Sequence, residues 1–293
     1  MKNHSSTKPD FIIIGAMKCA TSTLHEQLAT HASFFMTTPK EPNFFSDDDV
    51  YSRGYAWYES LFAGAAEGLI TGESSTHYTK LPSHPKTLER LTAFCPQVKC
   101  IYIMRHPIDR LVSHYIHEWT MGVISCDIDK AIKRFPELIE YGRYNYQIEP
   151  YLQAFGPANV LPLFAERLRG NPQRELQTVF DFLGVMETPV WQEDLRSNVS
   201  AERLRVCGWR DAIVRNPVVT VVRRTLVPKS VRQRIRKIWT MKDRPQLSAQ
   251  SLEKVENIFN QDLQLLGKKL GLALTCNTLK KCVTAPEKIG WKH

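Results

Sequence analysis

The stretch Phe11-Ile-Ile-Ile-Gly-Ala-Met-Lys-Cys-Ala-Thr-Ser-Thr-Leu24 decides the fold. Its apolar beginning is typical of a buried strand, and the short polar loop after it leads into a helix that we expect to begin near Thr21. Such a loop presents unpaired backbone N–H groups at the positive end of the helix dipole, and Lys18 adds a full charge. The stretch therefore predicts a binding site for phosphate or for a group of similar shape.

The spacing within this loop argues against the ordinary nucleotide triphosphatases. Their loop needs Gly, four residues, and then Gly-Lys-Ser/Thr. Here Lys18 follows Gly15 by only three residues, and Cys19 stands where the hydroxyl residue would be. The residues alone leave open a plain strand-to-helix turn with an exposed lysine.

The loop resembles that of the sulfotransferases that use 3′-phosphoadenosine 5′-phosphosulfate (PAPS). Their loop reads Gly-x-x-Lys-x-Gly-Thr-[Ser/Thr], and this chain follows it except that Ala20 replaces a glycine. Alanine is costlier than glycine wherever the backbone needs a positive φ. The resemblance implies that the loop binds the donor nucleotide through Lys18, Cys19, Ala20, Thr21, Ser22 and Thr23.

A second motif follows the β-prone run Val98–Met104 and reads Arg105-His-Pro-Ile-Asp-Arg-Leu-Val-Ser-His-Tyr115. Proline at the second position after Arg105 suits the first turn of a helix. Arg105 would then lie at the strand tip, with Arg110 and Ser113 on the helix, so that arginine and hydroxyl groups can converge on one anion. The motif resembles the 3′-phosphate site of the same family at every fixed position, which implies that Arg105 and Ser113 bind that phosphate.

A third motif, Thr38-Pro-Lys-Glu-Pro-Asn-Phe-Phe-Ser-Asp47, follows a short predicted strand. Its two prolines stiffen the loop around Glu41 at a strand end, where open α/β sheets bind ligands. The Lys-Glu-x-x-Phe-Phe order resembles the heparan-sulfate and bacterial branch of the family, which implies that Glu41 is the general base. Taken alone, the residues also fit a surface Lys-Glu pair.

The run Leu69–Tyr78 predicts another strand that ends in polar residues. In the resembled branch a similar segment helps to line the acceptor site, and Glu73, His77 and Tyr78 correspond to it, although Thr76 replaces the usual proline. His77 is an alternative base, because imidazole titrates near neutrality. Simple packing of His77 is the competing interpretation.

The chain has 293 residues, of which 43% are hydrophobic and 24% charged, enough for a large core. We expect a three-layer, P-loop-like α/β fold with a central parallel sheet in one sulfotransferase domain, 1–293. A nucleotide-binding core would span 11–184, and a basic and helical C-terminal part 203–272. Further predicted elements are strands 33–36 and 159–164 and helices 22–30, 84–94, 127–141, 144–154 and 252–270.

The net charge of +9 is concentrated in one segment. Residues 203–244 contain 13 basic and 2 acidic residues, which leaves −2 for the rest of the chain. This segment is compatible with a nucleic acid, an anionic membrane surface, an anionic substrate or an ordinary solvated face. We favour a cover over the acceptor side, and the family resemblance makes 196–203 a candidate for adenine contacts.

Seven scattered cysteines without zinc-type spacing predict reduced thiols. The polar N-terminus has no apolar signal core, and no apolar run reaches the roughly 20 residues of a spanning helix. These features predict a cytoplasmic protein.

The combined hypothesis is a sulfotransferase that moves a sulfuryl group from PAPS to a hydroxyl or amine and releases adenosine 3′,5′-bisphosphate. The acceptor would be a carbohydrate, a glycolipid or a small natural product, and the sequence does not choose among them. No metal is expected, because the chain lacks the hydroxyl after Lys18 and an evident acidic magnesium ligand. The rivals are a phosphoryl-transfer P-loop enzyme and a non-enzymatic binder of membrane or nucleic acid, although no nucleic-acid partner is expected.

Overall fold

The computed structural model of the protein describes residues 8–195 and 243–292. Within them, five strands form one parallel sheet in the order β2-β3-β1-β4-β5. The strands are β1 Phe11–Gly15, β2 Phe34–Met36, β3 Ile70–Ser74, β4 Lys99–Met104 and β5 Val160–Phe164. The order places β1 at the centre, where Phe11 pairs with Gly72 of β3 and with Lys99 of β4.

Twelve α-helices belong to the described residues. They are α1 Thr21–Ala29, α2 Asp48–Tyr51, α3 Tyr55–Ser60, α4 Thr87–Phe94, α5 Pro107–Thr120, α6 Ile128–Arg134, α7 Glu137–Glu140, α8 Tyr144–Phe155, α9 Ala165–Gly170, α10 Pro172–Leu183, α11 Ala249–Leu270 and α12 Leu279–Thr284. Short 3₁₀ turns occupy Thr76–Thr79, Pro157–Asn159 and Glu193–Leu195.

The burial of the strands shows why the sheet is the middle layer. Every residue of β1 and of β5 is buried. Because successive side chains of a strand point to opposite faces, full burial requires a cover on both sides of the sheet. The predicted α/β fold with a central parallel sheet is confirmed.

Two predicted helices differ from the structure, in both cases at a proline. The helix predicted over 127–141 is divided into α6 and α7, because Pro136 lacks an N–H and disfavours the helical conformation of Phe135 before it. The helix predicted from His84 begins only at Thr87, after Pro85. His84 is thereby left in a loop, where its side chain can reach neighbouring loops.

The long helix α11 packs against α8, the helix that begins at Tyr144. It begins at the cap residue Ser248 and buries an apolar stripe that includes Phe259 and Leu263, as its spacing predicts. Asp262 accepts hydrogen bonds from the backbone N–H groups of Asn145 and Tyr146, at the start of α8. The helix therefore fixes the end of α8 that faces the phosphate-type loop.

The basic segment lies outside the described residues, apart from Asp243 and Arg244. The same holds for the candidate adenine-contacting residues 196–203. Among the helices of residues 8–195 and 243–292, none combines the length and apolar character needed to cross a membrane.

Candidate active site

Four strands end at one edge of the sheet, and the candidate residues follow these ends. The loop of Lys18 follows β1, and Arg105 follows β4. Glu41 follows β2, and His77 follows β3. We call residues 15–23 and 105–113 the β1–β4 loops, and residues 37–47 and 75–84 the β2–β3 loops.

The loop after β1 has the unusual backbone that an anion site of this kind needs. Lys18 and Ala20 both have φ near +68°, in the left-handed region. Ala20 is the cap of α1, which begins at Thr21 as predicted. The alanine therefore occupies the position where glycine would be less costly, and the first amides of α1 lie next to the loop.

Gly15 lets the loop pass close to the segment after β3. A Cβ atom at Gly15 would lie 2.0 Å from Thr79 Oγ1, and its φ is +151°. The Thr79 hydroxyl donates a hydrogen bond of 2.9 Å to the Ile14 carbonyl oxygen. This contact joins the end of β1 to the β2–β3 loops.

Tyr144 and Cys19 anchor the loop from beneath. Cys19 is fully buried, with Sγ 3.7 Å from the Tyr144 hydroxyl, and burial raises the pKa of this thiol to about 11. The same hydroxyl accepts a hydrogen bond of 3.2 Å from the backbone N–H of Arg105. Cys19 is thus a packed thiol, and Tyr144, which carries no motif signal, holds the ends of β1 and β4 together.

Arg105 lies against the loop after β1. Its guanidinium donates a hydrogen bond of 3.2 Å to the Lys18 carbonyl oxygen, while its buried Nε has no partner. The hydroxyl of Ser113 has no hydrogen bond within residues 8–195 and 243–292 and is partly exposed. A buried donor without a partner at this strand end is compatible with an anionic ligand, because burial without a partner is costly.

Arg110 differs from expectation. Its side chain is fully buried and donates to the Leu138 carbonyl oxygen, with His114 Nδ1 3.4 Å away. The sequence pattern places Arg110 on the helix that carries Ser113, but the residue lies on the face that packs against the core. Arg110 therefore supports α5 and does not converge with Arg105.

Three hydrogen bonds hold Glu41 in place. Its φ is +58°, and its backbone N–H donates to the Ser74 carbonyl oxygen over 2.9 Å. Its carboxylate accepts hydrogen bonds from Lys40 Nζ at 2.5 Å and from Thr76 Oγ1 at 3.2 Å. Burial raises the pKa of Glu41, but the lysine charges and these two hydrogen bonds outweigh it, so that the net pKa is below the ordinary 4.5. The carboxylate is therefore ionised at neutral pH.

His77 lies in the same loops, with other partners. Its Nδ1 is 3.0 Å from Asp47 Oδ1, and its ring stacks on that of His84 with 4.8 Å between centroids. Burial, followed by the charge of Lys80, lowers the pKa of His77, although Asp47 opposes the shift. Thr76, the residue before His77, donates a hydrogen bond to the Glu41 carboxylate.

Glu73 and Tyr78 do not line an open site, in contrast to what the resemblance implies. Their side chains are 0% and 2% exposed. Burial raises the pKa of Glu73 to about 8, so that the carboxyl is largely protonated at neutral pH. Both residues belong to the core beneath the β2–β3 loops.

Three further residues at this edge of the sheet belong to no recognisable sequence motif. His25 of α1 shares a hydrogen bond of 2.9 Å with Ser74 Oγ, whose residue also receives the Glu41 N–H. Burial lowers the pKa of Lys80 to about 8 against the opposing charge of Glu41. Burial and then the charge of Lys18 lower the pKa of His117, while Glu41 raises it. His117 thus lies within electrostatic reach of both loops.

The sequence and the structure are both similar to those of sulfotransferases. Residues 8–267 match the family model described as a sulfotransferase domain. A sulfotransferase structure from Alicyclobacillus acidocaldarius superposes with a TM-score of 0.56 at 26% sequence identity and covers 64% of this chain and 88% of that one.

Curated relatives match over a shorter part of their length. Mouse heparan sulfate glucosamine 3-O-sulfotransferase 3A1 is 32% identical over 190 residues, which are 62% of this chain and 47% of the relative. Human bifunctional heparan sulfate N-deacetylase/N-sulfotransferase 3 is 28% identical over 199 residues, or 61% of this chain and 22% of the relative. The chain thus spans about half the length of the first of these relatives and about a fifth of the second.

Proposed function

The chain belongs to the sulfotransferase domain family, and from that premise we propose that it transfers a sulfuryl group from PAPS to a hydroxyl or amine of a carbohydrate. The observation that carries the proposal is the meeting of the Lys18 loop, Arg105 and an ionised Glu41 at one sheet edge. Neither a phosphoryl-transfer enzyme nor a non-enzymatic binder is favoured by the family.

We assign the donor nucleotide to the β1–β4 loops. Arg105 Nε, buried without a partner, and the Ser113 hydroxyl would hold the 3′-phosphate. The backbone N–H groups from Ala20 to Thr23 would hold the 5′-phosphate at the start of α1, whereas the Cys19 N–H donates to the Ala16 carbonyl oxygen over 3.2 Å. When bound, PAPS supplies the sulfuryl group, whose sulfur exchanges its bond to the nucleotide phosphate for a bond to the acceptor.

Glu41 would take the proton of the attacking acceptor. A carboxylate that is ionised at neutral pH can accept it, and the contacts from Lys40 and Thr76 fix its direction. Lys18 and the loop amides would stabilise the negative charge that develops on the departing phosphate oxygen and the sulfonate. His77 is the alternative base, with its own pairing to Asp47.

The acceptor class is proposed from the relatives' names and from the charges of the site. Both relatives named above act on heparan sulfate by name, one at oxygen and one at nitrogen. Lys40 and Lys80 lie around Glu41, and such cations suit an acceptor that carries carboxylate or sulfate groups. An anionic sugar chain with free hydroxyl and amine groups is therefore the acceptor that we propose to test first.

The test combines donor and acceptor assays. The protein is incubated with PAPS and a panel of heparan-type oligosaccharides, uncharged oligosaccharides and small phenols, and the release of adenosine 3′,5′-bisphosphate and the mass gain of each acceptor are measured. We expect sulfated product with the anionic sugars only. Thermal stabilisation by ATP with magnesium, without stabilisation by adenosine 3′,5′-bisphosphate, would refute the proposal.

A further inference from the structure

Asp47, His77 and His84 form a cluster of metal-binding side chains beside Glu41. His77 Nδ1 is 3.0 Å and His84 Nδ1 is 3.6 Å from the same oxygen, Asp47 Oδ1. One candidate ligand atom from each residue lies within 4.8 Å of the other two. The three side chains are between 23% and 31% exposed, so that the cluster opens to solvent on one side.

The composition and spacing of this cluster suit zinc or a related transition metal. Imidazole nitrogen and carboxylate oxygen bind Zn²⁺ at about 2.0–2.1 Å, and tetrahedral ligands at that bond length lie roughly 3.3 Å apart. The separations of His77 Nδ1 and His84 Nδ1 from Asp47 Oδ1, 3.0 and 3.6 Å, lie on either side of this value. Three protein ligands would leave the solvent side as a fourth position. Mg²⁺, which prefers oxygen ligands and water, suits the cluster less well.

Neighbouring groups hold two of the three side chains in place. The Ser46 hydroxyl donates a hydrogen bond of 2.9 Å to Asp47 Oδ1, and the Ser46 carbonyl oxygen is 3.2 Å from His84 Nδ1. The stacked rings of His77 and His84, 24° from parallel, restrict each other further. An ion bound through His84 Nδ1 would replace the contact with the Ser46 carbonyl oxygen, whereas the Ser46 hydroxyl can keep orienting Asp47, as outer contacts do in known metal sites.

We propose that Asp47, His77 and His84 bind one divalent transition-metal ion of the zinc type, which joins the two β2–β3 loops. Asp47 lies in the loop that carries Glu41, and His77 adjoins Thr76, which donates to the Glu41 carboxylate. A bound ion would therefore fix the distance between Glu41 and Thr76. This site is separate from the nucleotide phosphates, and the inference does not depend on sulfuryl transfer.

The positive charge of Lys80 would weaken the binding of a metal ion at this cluster, which provides a second test. Its buried ammonium group interacts electrostatically with both His77 and Asp47. A second positive charge at this position repels a cation held between them. Removal of the lysine charge should therefore strengthen metal binding, whereas removal of a ligand should weaken it.

The experiment measures binding of Co²⁺ and Zn²⁺ by the full chain after treatment with a chelator. Co²⁺ is titrated and followed by its visible d–d absorption, and Zn²⁺ is then added as a competitor. We expect one ion per chain, displaced by Zn²⁺, without the charge-transfer band that thiolate ligands would produce. A featureless or non-stoichiometric titration of the parent protein would overturn the proposal.

Three variants separate a built site from adventitious binding. His84→Gln should weaken Co²⁺ at least 10-fold, since it removes a direct ligand and even outer contacts are worth that much. Lys80→Met should strengthen Co²⁺ binding. His31→Gln is the matched control, because His31 is a partly exposed histidine paired with Glu187 elsewhere and should bind as the parent does.

Folding and nucleotide binding are checked independently for each variant, by circular dichroism and by calorimetry with adenosine 3′,5′-bisphosphate. If His84→Gln is folded and retains the parent affinity for Co²⁺, the assignment is wrong. If the parent protein binds the metal ion but does not transfer a sulfuryl group, only the proposed function is contradicted.

Discussion

The β1–β4 loops and the β2–β3 loops lie at the same edge of the sheet but are built by different means. The first pair depends on backbone: left-handed Lys18 and Ala20, and a guanidinium on a carbonyl oxygen. The second depends on charged side chains around Glu41 and Asp47 that come from several segments. We therefore expect changes in the β2–β3 loops to impair acceptor chemistry and to leave nucleotide binding intact.

The largest expected effect is a fall in kcat on substitution of Glu41, in the β2–β3 loops. Glu41→Gln keeps the shape of the side chain but removes the basic oxygen, and general-base catalysis typically contributes about 10²–10⁴-fold. We expect kcat to fall by that factor while the affinity for adenosine 3′,5′-bisphosphate stays that of the parent, as measured by calorimetry. If Glu41→Gln remains active and His77→Ala does not, His77 is the base.

The next effect in size is a fall in kcat on substitution of Lys18, in the β1–β4 loops. Lys18→Ala removes a cation from the position where negative charge develops, and the loss of such a contact typically costs about 10²–10³-fold in kcat. Lys86→Ala is the control, because Lys86 is an exposed lysine paired with Asp48. Turnover of Lys18→Ala close to that of the control would exclude Lys18 as the catalytic cation.

A smaller effect separates binding from chemistry within the β1–β4 loops. Arg105→Ala should weaken adenosine 3′,5′-bisphosphate by about 1.5–3 kcal/mol, or roughly 10- to 150-fold, because it loses a charge-assisted hydrogen bond. Adenosine 5′-monophosphate, which lacks the 3′-phosphate, should bind as before.

Arg105 also contacts the Lys18 carbonyl oxygen, so that its removal can disturb the loop. Ser113→Ala avoids this complication, since the Ser113 hydroxyl has no hydrogen bond to another described residue. We expect Ser113→Ala to weaken the binding of adenosine 3′,5′-bisphosphate by less than Arg105→Ala does. Equal affinities for the two nucleotides in the parent protein would remove both residues from the 3′-phosphate site.

The backbone-built part of the site is the part that the sequence predicts well. Strands β1, β2, β4 and β5 and the starts of β3 and α1 lie within about two residues of their predicted positions, because apolar runs and loop motifs are local signals. Ala20 has the positive φ that its motif position implies. Prolines caused the main errors, at Pro85 and Pro136, where a helical pattern continues across a residue that cannot donate a helical hydrogen bond.

The side-chain network is the part that the sequence predicts poorly. Glu41 carries a motif, but Lys80 and His25 matter only because folding brings them near Glu41 and Ser74. Arg110 shows the opposite error: it sits at a motif position, yet helix periodicity turns it into the core. A linear pattern states which residues are present, and only the packing of α5 decides which of them face the nucleotide.

The smallest expected effect concerns the pairing of Lys40 with Glu41. Burial raises the pKa of Glu41, and the charge and hydrogen bond of Lys40 are the first influences that bring it down. Lys40→Met removes both, so that the pKa of Glu41 should rise. A general base works only when ionised, and therefore the acid limb of kcat/KM should move to higher pH, while the rate well above that limb changes little. In the parent, where the pKa of Glu41 lies below 4.5, the limb falls at lower pH.

Lys86→Met supplies the matched control for this pH profile. Lys86 pairs with the exposed Asp48, near the same loop but away from the carboxylate. Its removal lowers the local positive charge by the same amount, yet screening by water makes an exposed pair contribute little. We expect the Lys86→Met profile to superpose on that of the parent. If both variants shift the acid limb equally, the general charge of this edge sets the titration, and the short contact from Lys40 to Glu41 has no special role. If neither variant shifts it, the titrating group is not Glu41, and His77 with its partner Asp47 becomes the base to test.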